Sequence, residues 1–538
     1  MQGAMKVAST TGHARFAKEQ RHSQESKKEN LSSTPSGKKR PIANFGLRSN
    51  LEDISCGMRD PGRSRYLPPA AGSCFNLSSR TEDKTTRGRA ALGGMQAGIT
   101  LGWTSPILPY LTSSESFLPE LVEGQISWIT SLLALGAIAG AVPAGKIADQ
   151  IGRKWAILLT AIPFATCWVA LLTTGNIISM YAARFIGGIG AGAACVLVPV
   201  YAGEIAQASI RGALGAFFPL LFSSGILFSY VAGAYCSYVI FNAACCAILV
   251  PFVLGVLFMP ESPMWLVQKD RKAQAAKVLT ILRGPHYDVA GEIAVLQDDV
   301  DRMTNASGGF KDLVGTKAGR KAAITCVGLM CFQQLCGVDA VLFYTVNIFQ
   351  AANSTIDPFL ATIIIGLTEV VMTIFVATVI DRFGRKPLLV ISGTMMTICL
   401  SVLGYYFRLK DGGSDVSTFG WLPLTSLALF NIVFSIGYGS VPFTVISEIF
   451  PPETKGVASS MSIVVHWSLV FVVTKLFPTM EDRMGQAATF WTFSCFTAAS
   501  AIFAYFVVPE TKGKTLQEIQ TKLKRRQKSK TKYQVEPV

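Results

Sequence analysis

The sequence predicts an all-α integral membrane protein with twelve membrane-spanning helices, six in each of two related halves. Half of the 538 residues are hydrophobic and only 15% are charged, whereas soluble domains carry about 25% charged residues. A charged, glycine-containing cluster at residues 149–154 also recurs at residues 381–386, each time between two long apolar runs. A cluster that occurs once in each half of the apolar region indicates internal duplication.

The composition also excludes several other classes. The formal net charge is +15, but the basic residues lie in tails and loops and form no recognisable nucleic-acid-binding module. The 12 cysteines lie mostly inside apolar runs without paired spacing, which is typical of small buried hydrophobic residues. The four histidines lack metal-ligand spacing. We therefore expect no nucleic acid, no metal, no cofactor and no enzyme activity.

The order of segments along the chain predicts five regions. Residues 1–88 are polar and aperiodic, so we expect a disordered cytosolic tail without a cleaved signal peptide. Residues 89–259 and 322–508 form the two six-helix halves, residues 260–321 are a polar linker of short amphipathic helices, and residues 509–538 are a cytosolic tail. A helix needs about 20 apolar residues to cross a membrane. The predicted spans are residues 90–111, 126–148, 155–174, 177–203, 213–236, 239–259, 322–349, 358–380, 387–407, 421–446, 457–478 and 487–508.

The positions of lysine and arginine predict the orientation. Most of the basic residues in short loops lie on one side, which by the positive-inside rule is the cytosol. With an even number of spans, both termini then face the cytosol. Of the Asn-x-Ser/Thr sequons, only the one at Asn353 is predicted to lie in an outer loop. Asn353 is therefore the candidate glycosylation site. We expect the protein in the plasma membrane.

Two pairs of charged motifs predict a network at the cytosolic ends of the helices. Asp149 with Arg153, and Asp381 with Arg385, are four residues apart where a helix ends, so each pair can bridge helix ends that pair or separate as helices move. The alternative interpretation is that these charges only set the membrane orientation. In a second set, each glutamate is followed seven residues later by a basic residue: Glu204 with Arg211, and Glu448 with Lys455.

These motifs together resemble the sugar porter family of the major facilitator superfamily. Further similar motifs include Pro260-Glu261-Ser262-Pro263, Gln333-Gln334 with Gly337, and Pro509-Glu510-Thr511. Finer details, such as Gly102-Trp103-Thr104, are similar to the facilitated trehalose transporters of insects. The resemblance covers about residues 90–516. It implies two six-helix bundles that alternately open a central sugar site to each side, with the two charged sets acting as a gate on the cytosolic face.

The residues of the site can be argued from sugar chemistry. A sugar offers many hydroxyls and no charge, so its pocket needs amides, which both donate and accept hydrogen bonds, together with aromatic rings. Gln333 and Gln334 lie in an otherwise apolar span, so we expect them to face a cavity, although hydrogen bonding between helices is the alternative. Gly337 is expected to break this helix, as are Gly437, Gly439 and Pro442 in helix ten. The substrate-binding candidates are Gln333, Gln334, Asp339, Tyr344, Glu369, Phe443 and Trp467.

Several of these positions depart from the pattern of the family. Asp339 and Glu369 stand where asparagine is usual, Phe443 replaces tryptophan, and His466 and Val470 replace polar residues in helix eleven. We interpret this as a maintained scaffold with altered specificity. One hypothesis is that Asp339 or Glu369 carries a proton and either donates to a hydroxyl of the ligand or makes transport pH-dependent. The alternative is that both hydrogen-bond helix to helix.

The predicted function is facilitated transport of a sugar, trehalose or a hexose, by a protein that contacts lipid and works as a monomer. Proton-driven sugar porters commonly carry an acid in helix one, and Gly102-Trp103-Thr104 has none. One alternative is a proton-coupled transporter or a carrier of a polar non-sugar solute. A sugar sensor that does not transport is the other. Gly188-Ile-Gly190-Ala-Gly192 loosely matches a dinucleotide fingerprint, but it lies inside a span, so we interpret it as close helix packing.

Overall fold

Apolar helices separated by short polar loops make up the protein, and the regular structure of the described residues is entirely helical. The computed structural model describes residues 77–173, 175–207, 217–305, 315–379, 382–450, 452–514 and 516–525. Most of the predicted N-terminal tail and the end of the C-terminal tail lie outside these residues, so their predicted disorder stays a prediction.

The helices lie before, within and after residues 260–321, the predicted linker. Before the linker lie α1 (Leu77–Gly102), α2 (Thr104–Leu111), α3 (Glu123–Ile151), α4 (Arg153–Leu159), α5 (Ala161–Thr173), α6 (Ile177–Ile205), α7 (Phe217–Tyr235), α8 (Tyr238–Ala247) and α9 (Leu249–Leu257). The linker contains α10 (Pro263–Gln268), α11 (Lys272–Arg283) and α12 (Val289–Asn305). After it come α13 (Lys317–Leu335), α14 (Val338–Ala352), α15 (Pro358–Val379), α16 (Arg385–Asp411), α17 (Leu422–Phe434), α18 (Val441–Ile449), α19 (Pro452–Phe506) and α20 (Leu516–Arg525).

Ten helical segments of the described residues are long and apolar enough to cross a membrane. Eleven of the twelve predicted spans overlap these segments, because the segment Gly456–Phe506 overlaps two of them. The remaining predicted span, residues 90–111, corresponds to α1 and α2 and is outside the ten. The protein is therefore a multi-pass membrane protein whose regular structure, in the part of the chain that is described, is helical.

Helix α1 begins at Leu77, before the predicted end of the N-terminal tail at residue 88. Its first turns are polar and lack the apolar periodicity by which a helix is usually recognised. Helix formation here continues the apolar part of the same helix, since propagation adds one hydrogen bond per residue once a helix is nucleated.

The long helix α19 is interrupted at Gly485. This residue has φ +79° and ψ 164°, which is not helical, so two helices meet there end to end. A positive φ is readily adopted by glycine because it has no Cβ. The interruption divides the 55-residue helix between the last two predicted spans.

Close packing between α3 and α6 depends on glycine. A Cβ added to Gly192 would lie 2.0 Å from the carbonyl oxygen of Ala137, and one added to Gly188 would lie 2.1 Å from that of Leu133. Such distances are far below van der Waals contact, so the two backbones touch directly. The interpretation of the Gly188–Gly192 segment as a packing motif is confirmed.

The linker helices pack on one another and on the first half. Trp265, Leu266, Val267 and Ala275 form a small apolar core between them. Arg283 forms an ion pair with Glu292 (3.0 Å) and donates to the carbonyl oxygen of Ile205 (3.0 Å), the last residue of α6. A cation at a helix C-terminus is favourable, so Arg283 attaches the linker to α6.

Candidate functional site

The predicted break in helix seven is confirmed at Gly337. Helix α13 ends at Leu335, Gly337 has φ +85°, and α14 begins at Val338. On a continuous helix the side chains of Gln334 and Asp339 would point about 140° apart. The break instead brings them together, and Gln334 Nε2 donates to Asp339 Oδ2. Both side chains are buried, with exposed fractions of 2% and 9%.

Gln333 faces the second predicted break, in helix ten, which is also confirmed. Between α17 and α18 the residues Ser435–Gly439 form one π-helical turn, a feature frequent at functional sites. Gln333 Nε2 donates to the carbonyl oxygen of Tyr438 (2.8 Å) inside this turn. The other amide atom, Gln333 Oε1, is buried and accepts no hydrogen bond from the described residues. Gln333 therefore joins the two broken helices and retains one free acceptor.

Phe443 on α18 lies about one turn beyond the break and contacts an aromatic residue of α19. The ring of Phe443 is 6.1 Å from that of His466, which in turn is 5.3 Å from the ring of Trp467, both in edge contacts. Trp467 is buried, whereas Phe443 is 48% exposed. His466 Nδ1 is a second buried polar atom without a hydrogen-bond partner among the described residues.

Two of the other predicted substrate-binding residues connect the halves of the chain. Ser223 on α7 donates to Glu369 Oε1 on α15 at 3.0 Å. The hydroxyl of Tyr344 lies 2.6 Å from that of Thr130 on α3 and donates to the carbonyl oxygen of Thr474 at 3.1 Å. The structure therefore joins Glu369 and Tyr344 to protein partners, whereas Gln333 Oε1 has no hydrogen-bond partner among the described residues and the Phe443 ring is partly exposed.

Arg153 is the centre of the first charged cluster. Its guanidinium donates to Asp149 Oδ1 (2.7 Å), to Glu204 Oε1 (3.0 Å) and to the carbonyl oxygen of Ala148 (3.0 Å). Ser262 from the linker donates to the other carboxylate oxygen of Glu204 at 2.5 Å. The predicted pairing of Asp149 with Arg153 is confirmed.

Arg385 occupies the corresponding place in the second half. It pairs with Glu448 at 2.9 Å, as Arg153 pairs with Glu204. Among the described residues, no ion pair joins the first cluster to the second. Arg211, Asp381 and the side chain of Lys455 lie outside the described residues, so their predicted places in the network stay predictions.

Two glutamates that the sequence analysis gave no role complete these clusters. Glu261 accepts from the backbone N–H of Arg153 (2.8 Å) and of Lys154 (3.1 Å) at the start of α4. Glu510 accepts from Arg385 N and Lys386 N, both at 3.1 Å, at the start of α16. Each carboxylate thus caps a helix N-terminus, where the helix dipole favours negative charge. The signal was the Pro-Glu pair that follows the last span of each half.

Burial and hydrogen bonding shift the pKa of the two glutamates in opposite directions. Burial raises the pKa of the Glu261 carboxyl, despite the backbone N–H groups that favour its charged form. Burial acts in the same sense on Glu510, but there the backbone N–H donors outweigh it and lower the pKa. The Glu261 carboxyl therefore takes up a proton at higher pH than the Glu510 carboxyl.

Substitution of the capping carboxylates tests their role. Glu261→Ala is expected to lower the free energy of unfolding by about 1–2 kcal/mol, the usual cost of removing a helix cap. Glu261→Gln, which keeps an acceptor oxygen, should lose less. Denaturation of the purified variants measures both values. Equal stability of Glu261→Ala and the unsubstituted protein would show that the cap contributes nothing.

A fully buried arginine, Arg184, was also missed. It donates to the carbonyl oxygens of Thr100 (2.8 Å) and Ile129 (3.2 Å) and to the hydroxyl of Thr104 (2.7 Å). Its guanidinium also lies 5.0 Å from the centre of the Trp103 ring. These contacts join α6 to α1, α2 and α3, so Arg184 fixes the packing of the first half.

Comparison with known proteins agrees with this architecture. The family model described as sugar (and other) transporter matches residues 85–523. The facilitated trehalose transporter of Bombyx mori is 37% identical over 436 residues, which cover 80% of this chain and 85% of that protein. The facilitated trehalose transporter of Drosophila virilis is 38% identical over 437 residues, which cover 80% of this chain. This chain spans only about half of that longer relative, 48% of its length.

Solved structures show the same fold. The proton:xylose symporter XylE of the major facilitator superfamily, bound to 6-bromo-6-deoxy-D-glucose, superposes with a TM-score of 0.69 at 25% identity, covering 83% of this chain and 100% of XylE. XylE from E. coli in an inward open conformation also gives a TM-score of 0.69 at 25% identity, covering 82% of this chain and 99% of that one. The chain has the major facilitator fold and belongs to the family of sugar (and other) transporters.

Proposed function

We propose that this protein carries a sugar across the plasma membrane by facilitated diffusion, alternately opening a central site to each side. The observation that carries the proposal is the meeting of two broken helices at Gln333 and Tyr438 in the interior. Broken helices free backbone groups at mid-membrane, and this is where transporters place their binding sites.

The chemistry of the site matches a neutral, hydroxyl-rich solute. Gln333 Oε1 and His466 Nδ1 are buried atoms without hydrogen-bond partners among the described residues, and hydroxyl groups of a sugar can pair with both. The exposed ring of Phe443 offers a flat apolar face for the C–H surface of the sugar. Gln334, Asp339, Tyr344, Glu369 and Trp467 complete the proposed site.

The choice of substrate and mechanism follows from the relatives and from the first helix. The most similar relatives reported above are named as facilitated trehalose transporters, so trehalose is favoured over hexoses. Residues 88–111 contain no aspartate or glutamate, which favours facilitated diffusion over coupling to protons.

The ten apolar helices support a topology of twelve passes in two six-helix bundles. Helices α1 and α2 would add one pass, and the interruption at Gly485 would divide α19 into two. The charged clusters would then face the cytosol, together with the linker helices and both termini. Asn353 is exposed at the opposite end and would carry the glycan.

The charged clusters would gate the cytosolic side. Each cluster ties helix ends within its own half, so each half would move as one body while the contacts between halves change. This role extends to Asp149, Arg153, Glu204 and Arg211 in the first half and to Asp381, Arg385, Glu448 and Lys455 in the second.

Counterflow of labelled sugar into proteoliposomes tests the function. The purified full-length protein is expected to accumulate labelled trehalose against unlabelled trehalose inside. Gln334→Ala should reduce the initial rate at least about tenfold, because it removes the partner of buried Asp339. The matched control is Gln350→Ala, an exposed glutamine on α14, which should transport normally. Trehalose or hexose binding without flux would indicate a sensor instead.

Proton coupling is the second candidate, and Asp339 and Glu369 are the observation in its favour. Both carboxyl groups lie inside membrane-spanning helices, and neither forms an ion pair with the described residues. Coupled transport predicts that Asp339→Asn or Glu369→Gln removes the pH dependence of uptake between about pH 5 and pH 8. Unchanged uptake and pH profiles in both variants would exclude this candidate.

A further inference from the structure

The side chain of Lys475 on α19 lies against the first turns of α3 in the other half of the chain. Its ammonium donates to Ser127 Oγ at 2.7 Å and to the carbonyl oxygen of Gly124 at 3.3 Å. It also lies 4.1 Å from the centre of the Trp128 ring. An ammonium has three N–H donors, and a hydroxyl, a carbonyl and an aromatic face are suitable partners for all three. No carboxylate of the described residues lies within ion-pair distance of it.

A second residue on the same face of α19 completes the contact. Phe471, one helical turn from Lys475, lies 6.0 Å ring to ring from Trp128. Trp128 is therefore contacted by both side chains. We name Gly124, Ser127, Trp128, Phe471 and Lys475 the Lys475 cluster.

The Lys475 cluster lies at the end of the molecule opposite the charged clusters. On α3, Ser127 and Asp149 are separated by about 30 Å of helix. On α19, Lys475 is about as far from the end of α18 that carries Glu448. Near the same end, Tyr344 of the second half also contacts Thr130 of α3. The two halves are thus bound together at this end, whereas no ion pair of the described residues joins the charged clusters at the other.

We propose that Lys475 is a positioning residue for transport: it holds the two halves together at the end opposite the charged clusters, and its contacts with α3 must break before a solute can enter from that side. All three of its partners belong to the other half, so they are lost together when the halves separate. A contact made in only one of two states shifts the equilibrium by its whole free energy. The link to solute entry rests on the proposed function, but the link to separation of the halves does not.

Hydrogen–deuterium exchange of the full-length protein in lipid nanodiscs tests the contact. We expect Lys475→Met, which keeps an unbranched stem and removes the charge, to raise exchange in residues 123–131 and 470–480 by about tenfold. Lys475→Arg keeps a charged donor and should restore much of the protection. The matched control is Lys410→Met: Lys410 donates to the carbonyl oxygen of Ala351 within its own half, so exchange at these two segments should not change.

Transport kinetics provide the second measurement. In oriented proteoliposomes, Lys475→Met should lower the KM for sugar presented at the end of the Lys475 cluster by several-fold and raise it at the other end, because the population open to that end increases. A merely structural loss would lower the maximal rate equally in both directions. If Lys475→Met does not fold, Trp128→Leu replaces it.

The outcomes separate the two proposals. Unchanged exchange in Lys475→Met, or an equal rise in Lys410→Met, overturns the role of Lys475 even if sugar is transported. Raised exchange in Lys475→Met alone supports that role even if the unsubstituted protein transports no sugar. In that case the proposed function is wrong, but the role of Lys475 in holding the halves together is not. A KM ratio that stays at the unsubstituted value while exchange rises would limit Lys475 to holding the halves without control of entry, which contradicts the proposal.

Discussion

Replacement of Arg153 by leucine is expected to abolish transport and to lower the free energy of unfolding by about 3–5 kcal/mol, the usual result of removing one partner of a buried ion pair. The side chain of Arg153 is 10% exposed, and that of Glu204 16%. Without Arg153, Glu204 keeps Ser262 as its donor but loses its positive partner. The ends of α3, α4 and α6 then repel or separate, and the first half no longer moves as one body.

The control for this prediction is another arginine in an ion pair. Arg302 pairs with Asp298 at 3.4 Å on the linker helix α12, with both side chains more than 70% exposed, at 75% and 72%. Exposed pairs contribute about 0–1 kcal/mol, so Arg302→Leu should transport normally and unfold as the unsubstituted protein does. Arg153→Lys keeps the charge, but a single ammonium cannot bind two carboxylates and a carbonyl as the forked guanidinium does. We therefore expect partial activity.

Denaturation in detergent and initial uptake rates in proteoliposomes measure the two effects separately. If Arg153→Leu retained more than about half of the uptake, the first charged cluster would have no role in transport. Loss of uptake with unchanged stability would instead show that Arg153 acts on the conformational change of transport and not on the free energy of unfolding.

The spans and the helix breaks could be predicted from the sequence because both depend on local chemistry. About twenty apolar residues in succession require a membrane, whatever surrounds them. Gly337 and the group Gly437, Gly439 and Pro442 interrupt helices because of their own backbone preferences. The polar start of α1 lacked such a local signal, and there the sequence predicted a tail.

The partners across the fold could not be predicted, because they depend on which helices meet. The Pro-Glu pair marks Glu261 as a motif residue, but nothing in the sequence indicates which helix it caps, since α4 begins more than a hundred residues earlier. The contact of Lys475 with Ser127 likewise joins residues 348 positions apart. Two of the three hydrogen-bond acceptors around Arg184 are backbone carbonyls, which carry no residue-specific signal. For Gln334 and Asp339, the sequence indicated both residues as site candidates, but their hydrogen bond required the geometry of the break.

Gly337→Ala is the second substitution with a large expected effect. Two separate costs act at this position. The backbone has φ +85°, which costs a residue with a Cβ about 1–2 kcal/mol. In addition, an added Cβ would lie 2.8 Å from atoms of the Phe493 ring, and overpacking of this kind costs about 1–3 kcal/mol. We expect the free energy of unfolding to fall by about 2–5 kcal/mol, the sum of these two ranges.

A double-mutant cycle separates the two costs. Gly413 has φ +76° with nothing within 4 Å of an added Cβ, so Gly413→Ala measures the backbone cost without the steric one. Gly337→Ala combined with Phe493→Leu should recover the steric part, and the non-additivity of the two substitutions gives its size. The alanine at Gly337 should still move Asp339 away from Gln334 in the double variant. Transport should then stay low even where stability recovers, because the proposed substrate site depends on the contact between these two side chains. Recovery of both stability and uptake would show instead that the ring of Phe493, and not the left-handed turn, sets the geometry of the site.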